Sequence, residues 1–168
     1  LELQEFIHSF SKPDICSFKL IDFNKETIDY TRHILNTAAE NENKNTKIEF
    51  VQRSVHTLLK QANENLEGEE TNKYDFVYCA GLFDYLSDRV CARLLNLFYQ
   101  WTKPGGLVLS TNVHPSNPSR WTMEHVIDWY LIHRDEKQML DIASKQGEHS
   151  VYLDLTGYNV FLETHKPL

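Results

Sequence analysis

The chain has 168 residues, 41% hydrophobic and 24% charged, enough for one globular domain with a sizeable core. With 17 Lys and Arg against 24 Asp and Glu, its formal net charge is -7, which repels phosphate backbones; no local basic patch points to a nucleic-acid partner. No apolar run approaches the roughly 20 residues of a membrane span. The first residues lack a signal-peptide layout, and Cys16, Cys79 and Cys91 show no CxxC spacing, so the expectation is a reducing, cytoplasmic compartment without disulfides or structural zinc.

Residues Leu1–Phe10 (LELQEFIHSF) have helical periodicity. Phe18–Phe23 (FKLIDF), bounded by Pro13 and Asn24, reads as a buried strand, and Asn24 is placed to cap a helix carrying Ile28, Thr31, Ile34, Leu35 and Ala38. The polar stretch Glu40–Lys47 ends that helix. Ile48–Arg53 is the second strand, and Val55–Leu66 the next helix through Val55, Leu58, Leu59 and Ala62. Glu67–Lys73 is an acidic, solvated loop, and Tyr74–Ala80 (YDFVYCA) the third strand. A helix follows with a stripe at Cys91, Leu94, Leu95, Phe98 and Trp101. It stops at Pro104-Gly105-Gly106, which launches the strand Leu107–Val113. After the Pro-rich loop His114–Arg120 come two predicted helices, Thr122–His133 and Asp135–Lys145. Strands Ser150–Leu155 and Val160–His165, with Gly157 between them, close the chain as a hairpin. Strands alternating with helices predict an α/β fold with a mostly parallel sheet and a C-terminal antiparallel hairpin.

Ligands of open α/β sheets bind beyond the carboxyl ends of the strands. Asp22 stands at one such end, where a carboxylate can accept both hydroxyls of a ribose or can favour the following helix N-terminus. Phe23 beside it can cover an adenine face or fill the core. Ser54, followed by Val55, can bond an adenine amino group or cap the next helix. Cys79 and Ala80, ahead of Gly81, are small enough to let a ligand approach the backbone; no neighbouring base activates Cys79 as a nucleophile. Asp84 and Tyr85 lie at the mouth of this region, as substrate-orienting groups or as a helix-entry acid and an anchoring ring. The eight histidines form no HExxH motif, and neither a GxSxG elbow nor a Walker A loop is present.

Leu20–Phe23 (LIDF), Phe50–Val55 (FVQRSV), Tyr74–Leu86 (YDFVYCAGLFDYL), the turn Lys103–Gly106 (KPGG) and the terminal hairpin resemble a class I S-adenosylmethionine-dependent methyltransferase over nearly the whole chain. The resemblance implies a Rossmann-like sheet and S-adenosylmethionine as cofactor. It puts the ribose on Asp22 with Phe23, adenine on Ser54 with Val55, and the methionyl part on Cys79 with Ala80. Ser54 departs from the acid more usual at its position. CAGLFDYLSD and Asn117–Glu136 (NPSRWTMEHVIDWYLIHRDE) resemble, more narrowly, the bacterial family of 3-hydroxypalmitic acid methyl ester biosynthesis. That likeness implies a small-molecule acceptor, a fatty-acid carboxylate. Asn117–Arg134 would form its lid, Arg120 or Arg134 pairing with the carboxylate and Trp121, Trp129, Tyr130 and Leu131 offering apolar surface or helix packing. The other readings are a Rossmann-type nucleotide-dependent oxidoreductase and a non-catalytic methyltransferase-like binding module.

Such methyltransferases begin with a strand and a GxGxG turn. This chain begins at Leu1 without them, so residues 1–168 read as a single methyltransferase-like domain lacking its first strand. The remaining sheet would then have a gap flanked by unpaired backbone groups, inviting a homo-oligomer or a strand-completing partner.

Overall fold

A computed structural model describes residues 2–11, 15–63 and 70–168. The boundary residue Pro13, positions 64–66 of the predicted helix and 67–69 of the acidic loop lie outside the described residues. The chain divides into two compact units, Leu1–Lys60 and Gln61–Leu168.

In the first unit, α1 (Glu2–Ser9) precedes β1 (Ser17–Asp22), α2 (Lys25–Asn41), β2 (Lys47–Gln52) and most of α3 (Val55–Asn63). Strands β1 and β2 pair in parallel with Asp22 opposite Gln52, so α2 is the crossover that parallel pairing demands. Asn24 caps α2 as its position predicts, its side chain accepting from the Glu26 and Thr27 amides. Ile28 and Leu35 are the buried points of the α2 stripe, with Ile7, Leu58 and Leu59 completing the core. Lys44 closes the carboxyl end of α1 by donating to the carbonyls of Ile7, His8 and Phe10.

The second unit contains β3 (Tyr74–Cys79), a 3-10 turn at Phe83–Tyr85, α4 (Asp88–Trp101), β4 (Thr102–Val113), α5 (Arg120–Val126), α6 (Glu136–Ile142), β5 (Glu148–Leu153) and β6 (Asn159–His165). Its sheet has the order β3-β4-β6-β5, with β3 and β4 parallel and the closing hairpin antiparallel. The predicted stripe Cys91, Leu94, Leu95, Phe98 and Trp101 is buried, and α4 packs on β3 and β4. Opposite it, β4 and β6 turn inward Val108, Ser110, Asn112, Val160, Leu162 and Thr164, an alternation of period two.

Two expectations need correction. Strand β4 begins at Thr102, directly after α4, and its register on β3 jumps from Tyr74↔Thr102 to Phe76↔Leu107. Lys103–Gly106 is thus a bulge within the strand rather than a separate turn. The predicted helix Thr122–His133 is shorter: α5 ends at Val126, and no helix resumes before Glu136. Asp128 adopts φ +51, and the chain beyond it runs irregularly because its amides are bonded elsewhere, Ile132 to the Asp84 carbonyl (2.8 Å) and Arg134 to the Val113 carbonyl (3.1 Å). A helix would require those amides for itself.

Two predictions arise from the closing hairpin. Gly147, at φ +93, leaves a Cβ only 2.7 Å from the His165 carbonyl oxygen. Gly147→Ala is expected to cost at least about 2 kcal/mol in urea unfolding, combining a left-handed backbone penalty with overpacking. In the β5–β6 turn, Asp154 takes bonds from the Asn159 side chain (3.0 Å), Thr156 hydroxyl (2.8 Å) and Tyr158 amide (2.9 Å). These bonds, the Asn159 side chain's first, hold its carboxyl down from 3.8 to about 2. The folded value lies below the unfolded one, so the contribution to stability is present above pH about 4 and is lost as pH falls towards 2. A carbon-detected titration should place the Asp154 midpoint near 2, and Asn159→Ala should return it towards 3.8.

Candidate functional site

In the first unit the predicted residues occupy the carboxyl ends of β1 and β2. Asp22 is half-buried; its Oδ1 accepts the Asn24 amide at 2.7 Å, and its backbone carbonyl accepts the Arg53 amide at 2.9 Å. These bonds hold the carboxylate at the strand end. Its second oxygen has no partner among the described residues, so it remains able to take a hydroxyl. The Phe23 ring beside it is 65% exposed, which excludes the core reading. Ser54 caps α3, its Oγ accepting the Thr57 amide at 3.2 Å and lying 3.0 Å from the Thr57 hydroxyl. Val55 opens that helix.

In the second unit, Cys79 ends β3, followed by exposed Ala80 and by Gly81 at φ +72, a value that favours glycine. Burial, reinforced by the Cys91 and Asp84 charges, pushes the Cys79 thiol up to about 12. At neutral pH it is a neutral wall group, not a nucleophile. The 3-10 turn then buries Phe83 and Asp84 and leaves Tyr85 half out.

Asp84 is the meeting point of this unit's strand ends. Its Oδ1 accepts the Val113 amide at 2.8 Å, tying the segment after β3 to the last residue of β4. Burial raises its carboxyl pKa, opposed by that bond and by the charges of Arg134 and His133. The Tyr85 hydroxyl accepts from Trp129 Nε1 at 2.9 Å, which brings the aromatic segment to the same place.

Arg134 is only 1% exposed, and all five of its N–H donors are used inside the protein. Nε donates to Asp88 (2.9 Å), Nη1 to the Phe83 carbonyl (2.8 Å) and Asn112 Oδ1 (2.7 Å), and Nη2 to the Leu86 carbonyl (2.6 Å) and Asp88 (2.7 Å). No donor is left for a substrate carboxylate. The expectation of Arg134 as a clamp is therefore corrected: it is a positioning residue that holds the segments after β3 and β4 together.

The other predicted acceptor residues separate. Arg120 pairs with Glu124 on the surface (2.7 Å), and Asn117 Oδ1 accepts the Ser119 amide (2.9 Å) within the loop. Tyr130 is exposed and so is Trp129 apart from its bond to Tyr85. Three residues the sequence reading passed over belong to the network: Asp88, His133 and Asn112, whose Nδ2 donates to the Ile132 carbonyl at 2.8 Å. Asn112 alone left a trace in the sequence, as an amide on the inward face of an apolar strand, where asparagine is depleted. Among the described residues, no three His, Cys, Asp or Glu side chains come together to hold a metal ion.

No family model matches the chain, and no curated protein does. Solved structures do. A possible exported protein from Bordetella parapertussis superposes with a TM-score of 0.69 at 16% identity, over 90% of this chain and 54% of that one. Human N-acetylserotonin methyltransferase, in complex with SAM, gives 0.57 at 12% identity, over 91% of this chain and 41% of that one. Magnesium protoporphyrin IX methyltransferase from Synechocystis, with bound SAH, gives 0.57 at 12% identity, over 95% and 69%. The fold is that of the class I methyltransferases. The chain spans about half the length of the first two of these structures.

Proposed function

We propose that the protein transfers a methyl group from S-adenosylmethionine to an oxygen of a small, largely apolar acceptor, the carboxylate of a fatty acid or hydroxy fatty acid. The observation that carries this reading is the half-free carboxylate of Asp22 at the end of the first strand of a methyltransferase fold. Asp22 would accept a ribose hydroxyl, and the exposed Phe23 ring would cover adenine, with Ser54 and Val55 at its edge. Cys79 and Ala80 would line the methionyl part. When bound, the cofactor supplies a methyl group on a sulfonium, already activated for displacement.

The chain's own task is then to position the acceptor and exclude water. Asp84 and Tyr85 orient it, while Trp129 and Tyr130 offer aromatic surface to an apolar body. Arg134 acts through Asn112 and the Phe83 and Leu86 carbonyls, keeping this wall in place. A carboxylate acceptor is ionised at neutral pH and needs no general base: its oxygen forms the new C–O bond as the C–S bond breaks, the electron pair staying on sulfur. Calorimetry against S-adenosylhomocysteine and NAD tests the reading. Binding of the first and none of the second is expected; NAD binding would favour an oxidoreductase, and binding of neither a non-catalytic module.

A further inference from the structure

His114, Ser116 and Glu136 play no part in the methyl-transfer reading, yet they form a set of their own. Ser116 Oγ lies 2.7 Å from His114 Nδ1, and the other ring nitrogen, Nε2, lies 3.3 Å from Glu136 Oε2. The Ser116 backbone amide also points at Nδ1, at 3.2 Å. An amide can only donate, so Nδ1 offers its lone pair to this side and the ring keeps its proton on Nε2, facing the carboxylate. A charged ring would set two N–H donors against each other at Nδ1. The imidazole is thus turned as a base towards a hydroxyl with a carboxylate behind it, the serial arrangement that activates a serine.

Three elements bring the set together. His114 and Ser116 lie in the loop after β4, where the His114 amide bonds the Tyr158 carbonyl (2.8 Å) and the Asn117 amide bonds the His114 carbonyl (3.1 Å). The Gly157 carbonyl, in the β5–β6 turn, meets Ser116 Oγ at 2.7 Å and fixes its rotation beside Nδ1, so the single hydroxyl proton is shared between them. Glu136 is the first residue of α6 and is placed by the capping box of Asp135 and Gln138. The His114 side chain is 15% exposed whereas Ser116 is exposed, which shields the base and leaves the nucleophile open to a ligand. A turn by itself would need only an acceptor for the Ser116 amide, which an asparagine or aspartate supplies from the same position. The imidazole adds a base and a second nitrogen directed at a carboxylate from another element.

We propose that Ser116, His114 and Glu136 form a second reactive site, which cleaves small activated esters through an acyl group carried on Ser116. Oγ forms a bond to the acyl carbon as its proton passes to His114 Nδ1; the C–O bond to the alcohol then breaks, and the alcohol leaves with that proton. Water, giving a proton to Nδ1, releases the acid, and the proton returns to Oγ. Glu136 is a positioning residue: it holds the ring and balances the charge that the ring gains in each step. The activity uses no S-adenosylmethionine and goes beyond the methyl-transfer reading, so neither depends on the other.

The test mixes the protein with p-nitrophenyl acetate in the absence of S-adenosylmethionine, follows nitrophenolate by stopped flow and locates the acetyl group by peptide mass spectrometry. A burst of about one nitrophenolate per chain is expected, with the acetyl group on Ser116. Ser116→Ala and His114→Phe should each remove the burst and lower the steady rate at least about 10-fold. Glu136→Gln should lower kcat about 10-fold at unchanged KM, and Glu136→Asp should recover part of it. The absence of a burst, an acetyl group on any other residue, or a burst that survives in Ser116→Ala would each overturn the assignment. The first two are read on the wild-type protein, so the result holds even where a variant fails to fold.

Discussion

Replacing Arg134 with methionine is expected to destabilise the protein by about 3–5 kcal/mol, read as a lower urea midpoint at unchanged m-value. Most of that loss comes from acceptors, not from the ion pair. The Asp88 side chain is 73% exposed, so its pairing with Arg134 is screened by water and contributes little. The Phe83 and Leu86 carbonyls and Asn112 Oδ1, by contrast, would lose a charged donor in a largely buried setting. Methionine matches the length of the arginine stem but offers no donor to any of them. Lysine keeps the charge, yet its three donors radiate from one point and cannot replace a planar fork of five, so Arg134→Lys should lose about half as much. Asp88→Asn should cost under about 1 kcal/mol. A methionine variant within about 1 kcal/mol of the wild type would show that the guanidinium does not hold these segments together.

Asp22→Ala is expected to weaken S-adenosylhomocysteine binding about 100-fold in calorimetry, the equivalent of one or two charge-assisted hydrogen bonds. The Oδ1 bond to the Asn24 amide orients the carboxylate before any ligand arrives, so little ordering cost falls on binding. Asp22→Asn keeps an oxygen but loses the charge and half the accepting capacity, and a loss of about 10-fold is expected. Asp22 is only half-buried and its bond to the Asn24 amide is exposed, so the unfolding midpoint should fall by no more than about 1 kcal/mol's worth. Full retention of affinity in Asp22→Ala would dismiss the ribose assignment.

The architecture was legible in the sequence wherever a local period or a capping residue encoded it. The α4 stripe Cys91–Trp101, the Asn24 cap, and the closing hairpin through Gly157 are where their residues put them. Legibility failed at the second half of the predicted helix Thr122–His133. Its apolar residues fall at helical spacing, but Val126, Ile127 and Tyr130 are exposed and bury nothing, and distant partners take the amides of Ile132 and Arg134. The same long-range bonding hid Asn112 and made Arg134, an arginine in a segment that reads as a lid, resemble a substrate clamp.

By itself, then, the sequence determined most of the strands and helices and put each strand's end within about two residues of its place, because periodicity and capping act over a turn or a pleat. Only the tertiary structure decided which polar groups at those ends remain free for a ligand. Arg134 finds its partners 22, 46, 48 and 51 residues away, at Asn112, Asp88, Leu86 and Phe83. No local pattern records bonds of that span, so the chain spends its arginine on itself, while among the described residues one carboxylate oxygen of Asp22 is left without a partner.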